Sequence, residues 1–150
     1  MQKTLNTITI NAEPDRVFKL AADVLNWPNI LPHYRWVRAI GESGSSLIVE
    51  MAAKRSMIPV KWTSIQTLDR DLRRIYYEHI GGATRGMWVE WTIVPIDEDK
   101  SQVTILHELT LQVPIVSSWP GKLITGKLFV ESIADMTLKY IKLAAETGGG

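Results

Sequence analysis

Apolar residues recur at every second position through most of this chain, and at every third or fourth position in two places. A period of two marks half-buried strands, and a period near 3.6 marks amphipathic helices. Residues 4–10 alternate, with Leu5, Thr7 and Thr9 on one face and Asn6, Ile8 and Ile10 on the other. Asn11-Ala12-Glu13-Pro14-Asp15 then reads as a helix start, with proline in the first turn and acids near the positive end. Val17, Phe18, Ala21 and Ala22 carry the helical spacing. Asp23 is the expected cap of a second short helix through Val24, Leu25 and Trp27, ended by Pro28 and Pro32.

Six strand-like runs follow, at about 33–41, 46–54, 58–68, 72–80, 86–95 and 101–112. Gly41–Ser45, Asp69–Asp71 and Asp97–Lys100 read as polar connections between them. Gly81–Gly86 reads as a longer link or a bulged corner. Short links favour antiparallel pairing. The last element, near 119–146, is expected to be one amphipathic helix with a stripe at Phe129, Ile133, Met136, Tyr140, Ile141 and Ala144. The expected fold is α+β: a curved antiparallel sheet of about seven strands around a long C-terminal helix. One domain is expected over 1–147, with a disordered tail at 148–150. A sheet closed on one helix leaves space between them, and that space is the expected pocket.

Strand parity predicts what faces that space. His107 shares a face with Val103, Ile105, Leu109 and Leu111. Val60, Trp62, Ser64 and Gln66 go together, as do Ile75, Tyr77 and His79, and Met87, Val89, Trp91 and Ile93. A plain core needs only Leu, Val and Ile. Polar groups on an apolar face need partners, since an unmatched one costs about 1–3 kcal/mol. Aromatic walls with a few polar groups describe a ligand cavity.

Composition narrows the choices. The 150 residues carry a formal net charge of +1, so bulk charge does not point to a nucleic-acid partner. Cysteine is absent, which excludes disulfides, thiolate metal sites and cysteine nucleophiles. No apolar run approaches the ~18 residues of a membrane span. The first four residues lack a signal peptide's apolar core, and a cytoplasmic protein, monomer or homodimer, is expected. Its three histidines lie on separate segments with no ligand-type spacing, so neither a metal nor a cofactor is expected. No nucleophile elbow or phosphate-binding glycine loop is present.

The segment Ile10–Pro14 through Asp23–Pro28, together with Gly86-Met87-Trp88-Val89-Glu90-Trp91-Thr92, the strand around Val103–Leu109 and the closing helix, resembles the polyketide cyclase/dehydrase family. That family belongs to the START-like, helix-grip superfamily, with the coenzyme Q-binding START proteins. The resemblance implies an elongated apolar cavity for a polyketide, lipid or quinone. It places Trp27, Leu31 and Tyr34 at the mouth and Trp62, Met87 and Trp91 on the sheet wall. Tyr77 and Gln66 join them by parity, and Phe129, Ile133 and Met136 by the helical stripe. The aromatase/cyclase members carry a pocket arginine. Gln66 and His79 stand at such positions here, while Arg55 and Arg85 are the arginines near enough in sequence to be considered.

Two readings of the inward histidines stay open. In one, His79 and His107 form an acid/base pair for enolisation, aldol closure or dehydration, with Tyr34 or Tyr77 as hydrogen-bond donor. In the other, which is favoured, they are buried histidines satisfied by neighbours or water. His33 is expected at the rim. Trp36 and Trp88 are expected to pack across neighbouring strands, the alternative being an exposed membrane or partner surface with Trp119. Function reduces to three alternatives: a cyclase/dehydrase-like enzyme, a lipid or quinone carrier in transient membrane contact, or a ribosome- or chaperone-associated module.

Overall fold

The structure, a computed structural model, describes residues 2–55, 57–82, 84–109 and 127–147. Seven strands form one antiparallel sheet: β1 (Gln2–Ile10), β2 (Tyr34–Ser43), β3 (Ser46–Arg55), β4 (Ile58–Asp69), β5 (Arg74–Gly82), β6 (Trp88–Asp97) and β7 (Lys100–Leu109). Their spatial order is β1-β7-β6-β5-β4-β3-β2, so β2 to β7 form a meander and β1 adds to its far edge. Helix α1 (Pro14–Ala22), a 3-10 turn (Val24–Asn26) and α2 (Trp27–Ile30) link β1 to β2. Helix α3 (Lys127–Glu146) lies across the curved sheet. This is the helix-grip arrangement, and its core sits between the concave sheet face and α1, α2 and α3.

Local chemistry explains the entry segment. Pro14 occupies the first turn of α1, where its missing N–H costs nothing, and Asp15 follows in the same turn. Pro28 does not end a helix, as expected, but begins α2. The reason is the same tolerance of proline at a first turn. Asp23 starts the 3-10 turn without a side-chain cap bond. Arg16 reaches from α1 to the far end of α3, donating from Nε to the Ala145 carbonyl at 2.9 Å.

Strand parity holds wherever the side chains are described; those of Leu109 and Leu111 lie outside the described ones. Val60, Trp62, Ser64 and Gln66 are buried, as are Ile75, Tyr77 and His79. Two strands run further than expected: β2 and β3 pair up to Ser43–Ser46 around the turn at Gly44-Ser45. Gly81 and Gly82 belong to β5, where Thr63 pairs with Gly81 and Ser64 with His79. Ile80 is therefore an extra residue, and the strand bends there. Gly82 is required twice over: φ is +88°, and a Cβ would stand 2.4 Å from the Lys61 carbonyl oxygen.

The stripe on α3 is rotated from its expected phase. Val130, Ala134, Thr137, Leu138, Ile141 and Ala145 are buried. Ile133, Met136, Tyr140 and Ala144 are only partly so. Small residues let the helix backbone approach the sheet, and the larger Met136 and Tyr140 are displaced to the flank. The expected helical residues 119–126, the strand beyond Leu109 and the tail at 148–150 lie outside the described residues. No helix among the described residues is long and apolar enough to cross a membrane.

Candidate functional site

A cavity of about 70 Å³ lies between the sheet and α3. Trp27 and Tyr34 close it from the α2–β2 corner, and Trp62, Tyr77, Met87 and Trp91 form its sheet wall. Val130, Ile133, Ala134 and Thr137 line the helix side. His79, Thr84 and His107 complete the polar part of the wall. No charged side chain is among the described lining residues.

The aromatic rings are in mutual contact. Trp27 meets Tyr34 edge-on at 5.0 Å between centroids and Trp91 at 5.8 Å. Tyr34 in turn meets Trp62 edge-on at 6.0 Å. Such pairs contribute ~0.5–1.5 kcal/mol beyond area burial and fix ring orientation. The wall is thus mostly apolar, with Trp27 Nε1, Trp62 Nε1 and His107 Nδ1 buried and without a hydrogen-bond partner among the described residues.

Protonation follows from burial. His79 is pushed down to about 3, first by burial and then by the neighbouring His107. Burial alone takes His107 to about 4. Both imidazoles are neutral near pH 7, each with one N–H and one bare nitrogen. His79 Nδ1 lies 2.6 Å from the Thr84 hydroxyl. Burial raises Tyr34 and Tyr77 above the usual phenol range, so both keep their proton.

Of the expected site residues, Trp27, Tyr34, Trp62, Tyr77, His79, Met87, Trp91, His107 and Ile133 meet at this cavity. Three do not. Leu31 is buried in the core but does not line the cavity. Gln66 faces inward but does not line the cavity, its amide being engaged in donating to the Ala22 carbonyl at 3.0 Å and to Tyr77 Oη at 3.1 Å. Met136 is carried to the flank by the helix rotation. The side chains of Phe129 and Arg55, and Trp119, lie outside the described ones. Arg85 is exposed and off the cavity wall.

Position in sequence misled on His33, which is buried and hydrogen-bonded through Nε2 to the Thr137 hydroxyl at 2.9 Å. Thr84 and Thr137 were not expected in the wall. Thr137 interrupts an apolar stripe, and that is the signal that points to it. Trp36 and Trp88 pack on the outer face: the Arg35 and Arg38 guanidiniums lie 5.4 and 5.1 Å from the Trp36 ring centre, and Trp88 lies against Tyr76 at 5.6 Å. Among the described residues, no group of three or more His, Asp or Glu side chains is placed to hold a metal.

Comparison with known proteins adds a family and a fold. Residues 10–136 match the family model "Polyketide cyclase / dehydrase and lipid transport". The chain is 24% identical over 113 residues to the granaticin polyketide synthase bifunctional cyclase/dehydratase of Streptomyces violaceoruber, covering 74% of this chain and 35% of that protein. It is 29% identical over 102 residues to the same-named protein of Streptomyces virginiae, covering 67% and 34%. The chain therefore spans about a third of the length of these relatives. Among solved structures it resembles the Zhui aromatase/cyclase of a Streptomyces species, with TM-score 0.81, 23% identity and 99% coverage of both chains. A Thermus thermophilus protein gives TM-score 0.83 at 18% identity, covering 99% of this chain and 100% of the other. At these identities the structural likeness establishes a shared fold.

Proposed function

Because the chain belongs to the polyketide cyclase/dehydrase and lipid transport family, we propose that its cavity binds a hydrophobic, oxygen-bearing small molecule of the polyketide class and promotes ring closure or dehydration. One observation carries this reading. The aromatic cavity gathers Tyr34, His79 and His107 in a wall where His107 Nδ1 has no partner among the described residues. A carbon chain held against that wall loses its freedom to extend, so reacting atoms meet more often. Tyr34 hydrogen-bonds a ligand oxygen. The bare nitrogen of a neutral imidazole removes a proton beside a carbonyl, and the resulting imidazolium returns it when water leaves. At pKa values of about 3 and 4 these are weak bases, so positioning supplies most of the effect.

A cavity of about 70 Å³ is smaller than the ~300–1,000 Å³ of ordinary ligand sites, so a multi-ring ligand enters only as the wall spreads. Native mass spectrometry of the purified protein, followed by organic extraction, tests for binding. A bound polyketide-type molecule selects the substrate for turnover. With that substrate, the double variant His79→Ala/His107→Ala should still bind but no longer turn over; persisting turnover removes the acid/base role.

A second reading has its own support. With no charged group among the described lining residues and both imidazoles neutral, the wall also suits a lipid or quinone carried unchanged. Extraction of such a molecule, and its transfer between vesicles without chemical change, separates carrier from enzyme.

A further inference from the structure

The meander sorts the turns of the sheet into two ends, and the charges of the chain follow that division. Turns β2–β3, β4–β5 and β6–β7 lie at one end and carry Glu42, Asp69, Asp71, Asp97, Glu98 and Asp99. The start of β2 and the turns β3–β4 and β5–β6 lie at the other. There the segments 31–37, 51–68 and 79–89 hold no aspartate or glutamate, and Arg35, Lys54, Lys61 and Arg85 are exposed. The register sets these four side by side. Arg35 is the bulged residue of β2 beside Ala52 and Ala53, Lys54 pairs with Pro59, and Lys61 pairs with Ala52. Trp62 pairs with Gly82, whose carbonyl accepts from the Arg85 N–H at 3.3 Å. Lys3 and Glu108, at the same end, offset each other at 3.8 Å. Arg35, Lys54, Lys61 and Arg85 have no ion-pair partner among the described residues. A chain of net charge +1 is therefore basic at one end and acid-rich at the other.

Two further observations fall on the basic end. The β3–β4 turn puts forward Met57, whose side chain is 92% exposed, the highest value among the large apolar residues described. The cavity also lies in this half: Tyr34, Val60, Trp62, Thr84 and Met87 line it, and no residue of the acid-rich turns does. An apolar side chain standing between lysines matches a lipid interface. Methionine enters the acyl boundary there, while lysine stems lie along it with their ammonium groups at the phosphate level. An oligonucleotide meets the same cations but offers Met57 no apolar layer.

We propose that this end, with Met57 foremost and Arg35, Lys54, Lys61 and Arg85 around it, docks on an anionic phospholipid surface and holds the cavity against the layer that dissolves its ligand. The docking stands on charge and exposure; its use in loading the cavity rests on the ligand-binding reading above. The segregated charge turns the basic end toward the surface before contact.

Sedimentation with vesicles of phosphatidylcholine alone, or with a third of phosphatidylserine, tests this. Binding should be at least tenfold tighter to the anionic vesicles and should weaken as salt is raised. Lys54→Glu with Lys61→Glu should remove that preference, since each cation near the surface is worth about fivefold. Met57→Asp should weaken binding to anionic vesicles. Lys19→Glu with Arg70→Glu makes the same change in net charge away from this end and should leave binding unaltered. Equal binding to the two vesicle types, or an equal loss in both double variants, overturns the proposal. Retention by a single-stranded oligonucleotide and not by anionic vesicles overturns it in favour of a polyanion site. Binding to neither vesicle overturns it too, and leaves the cavity reading standing, because that reading is judged by what the purified protein retains.

Discussion

His79 lies flat on Trp62, with ring centroids 5.6 Å apart and planes only 5° from parallel. The stack belongs to the β4–β5 corner, where the extra residue Ile80 re-aims the strand. The imidazole is then pinned at its free edge by Thr84, 2.6 Å from Nδ1. Stacking sets the plane and the hydroxyl sets the rotation, so His79 enters the cavity wall in one orientation.

Thr84→Val keeps the shape and removes the pin. A buried imidazole nitrogen loses its partner, and stability should fall by about 1–3 kcal/mol. Urea unfolding of the variant beside the unmodified protein measures this, and an unchanged midpoint would mean that the bond contributes nothing.

Acid should weaken the fold before the carboxylates titrate. In the folded chain His79 is held at about 3 and His33 and His107 at about 4, against 6.5 for a free histidine. Below pH 6.5 the unfolded chain takes up protons that the folded chain refuses. The stability these groups preserve is complete above 6.5 and is lost progressively as pH falls toward 4. For His79 and His107 the limiting slope is about 1.4 kcal/mol per pH unit each. Unfolding midpoints between pH 7.5 and 4.5 should decline, and less steeply in His107→Gln; a flat profile contradicts the burial of these rings.

Gly82→Ala should cost more than a typical surface change, by ~1–3 kcal/mol. Its φ of +88° disfavours any side chain, and the new Cβ would collide with the Lys61 backbone. The expected signature is a lowered melting temperature and, on the cavity reading proposed above, weaker ligand retention, because the same corner carries His79. A variant as stable as the parent would show that the corner relaxes freely.

The phase of α3 is checked by a pair of truncations. Ile141→Ala, at a fully buried position, should cost about 2–5 kcal/mol. Leu143→Ala, at a position 53% exposed, should stay within about 0.5 kcal/mol. Similar costs for the two would put the buried stripe elsewhere on the helix.

The sequence disclosed the sheet better than the helix, for a physical reason. On a strand, parity leaves two choices, and one residue such as Trp62 or Ile75 settles the whole face. On a helix the buried arc is set by close approach as well as by hydropathy. Ala134, Thr137 and Ala145 take the inner arc because they are small, while Met136 and Tyr140 look more hydrophobic and lie outside it. Parity also assigns a face without naming a partner. Gln66 does face inward, yet Tyr77 and the Ala22 carbonyl occupy its amide. His33, between two residues that read as an entrance, is drawn beneath α3 by Thr137, a contact across 104 positions that no local pattern reports.

The pairing of β1 with β7, and the seating of α3 on β1, has a kinetic consequence. Asn6 donates to Asp135 at 2.6 Å across 129 positions, so the elements that cover the concave face are far apart along the chain. Loop closure on that scale must precede the contacts that reward it, which places folding in the slow, millisecond-to-second range. Until it is complete, Trp62, Trp91 and Tyr77 stand on an uncovered sheet. An aromatic wall left open in this way suits another half-folded copy, and refolding yield should fall as protein concentration rises.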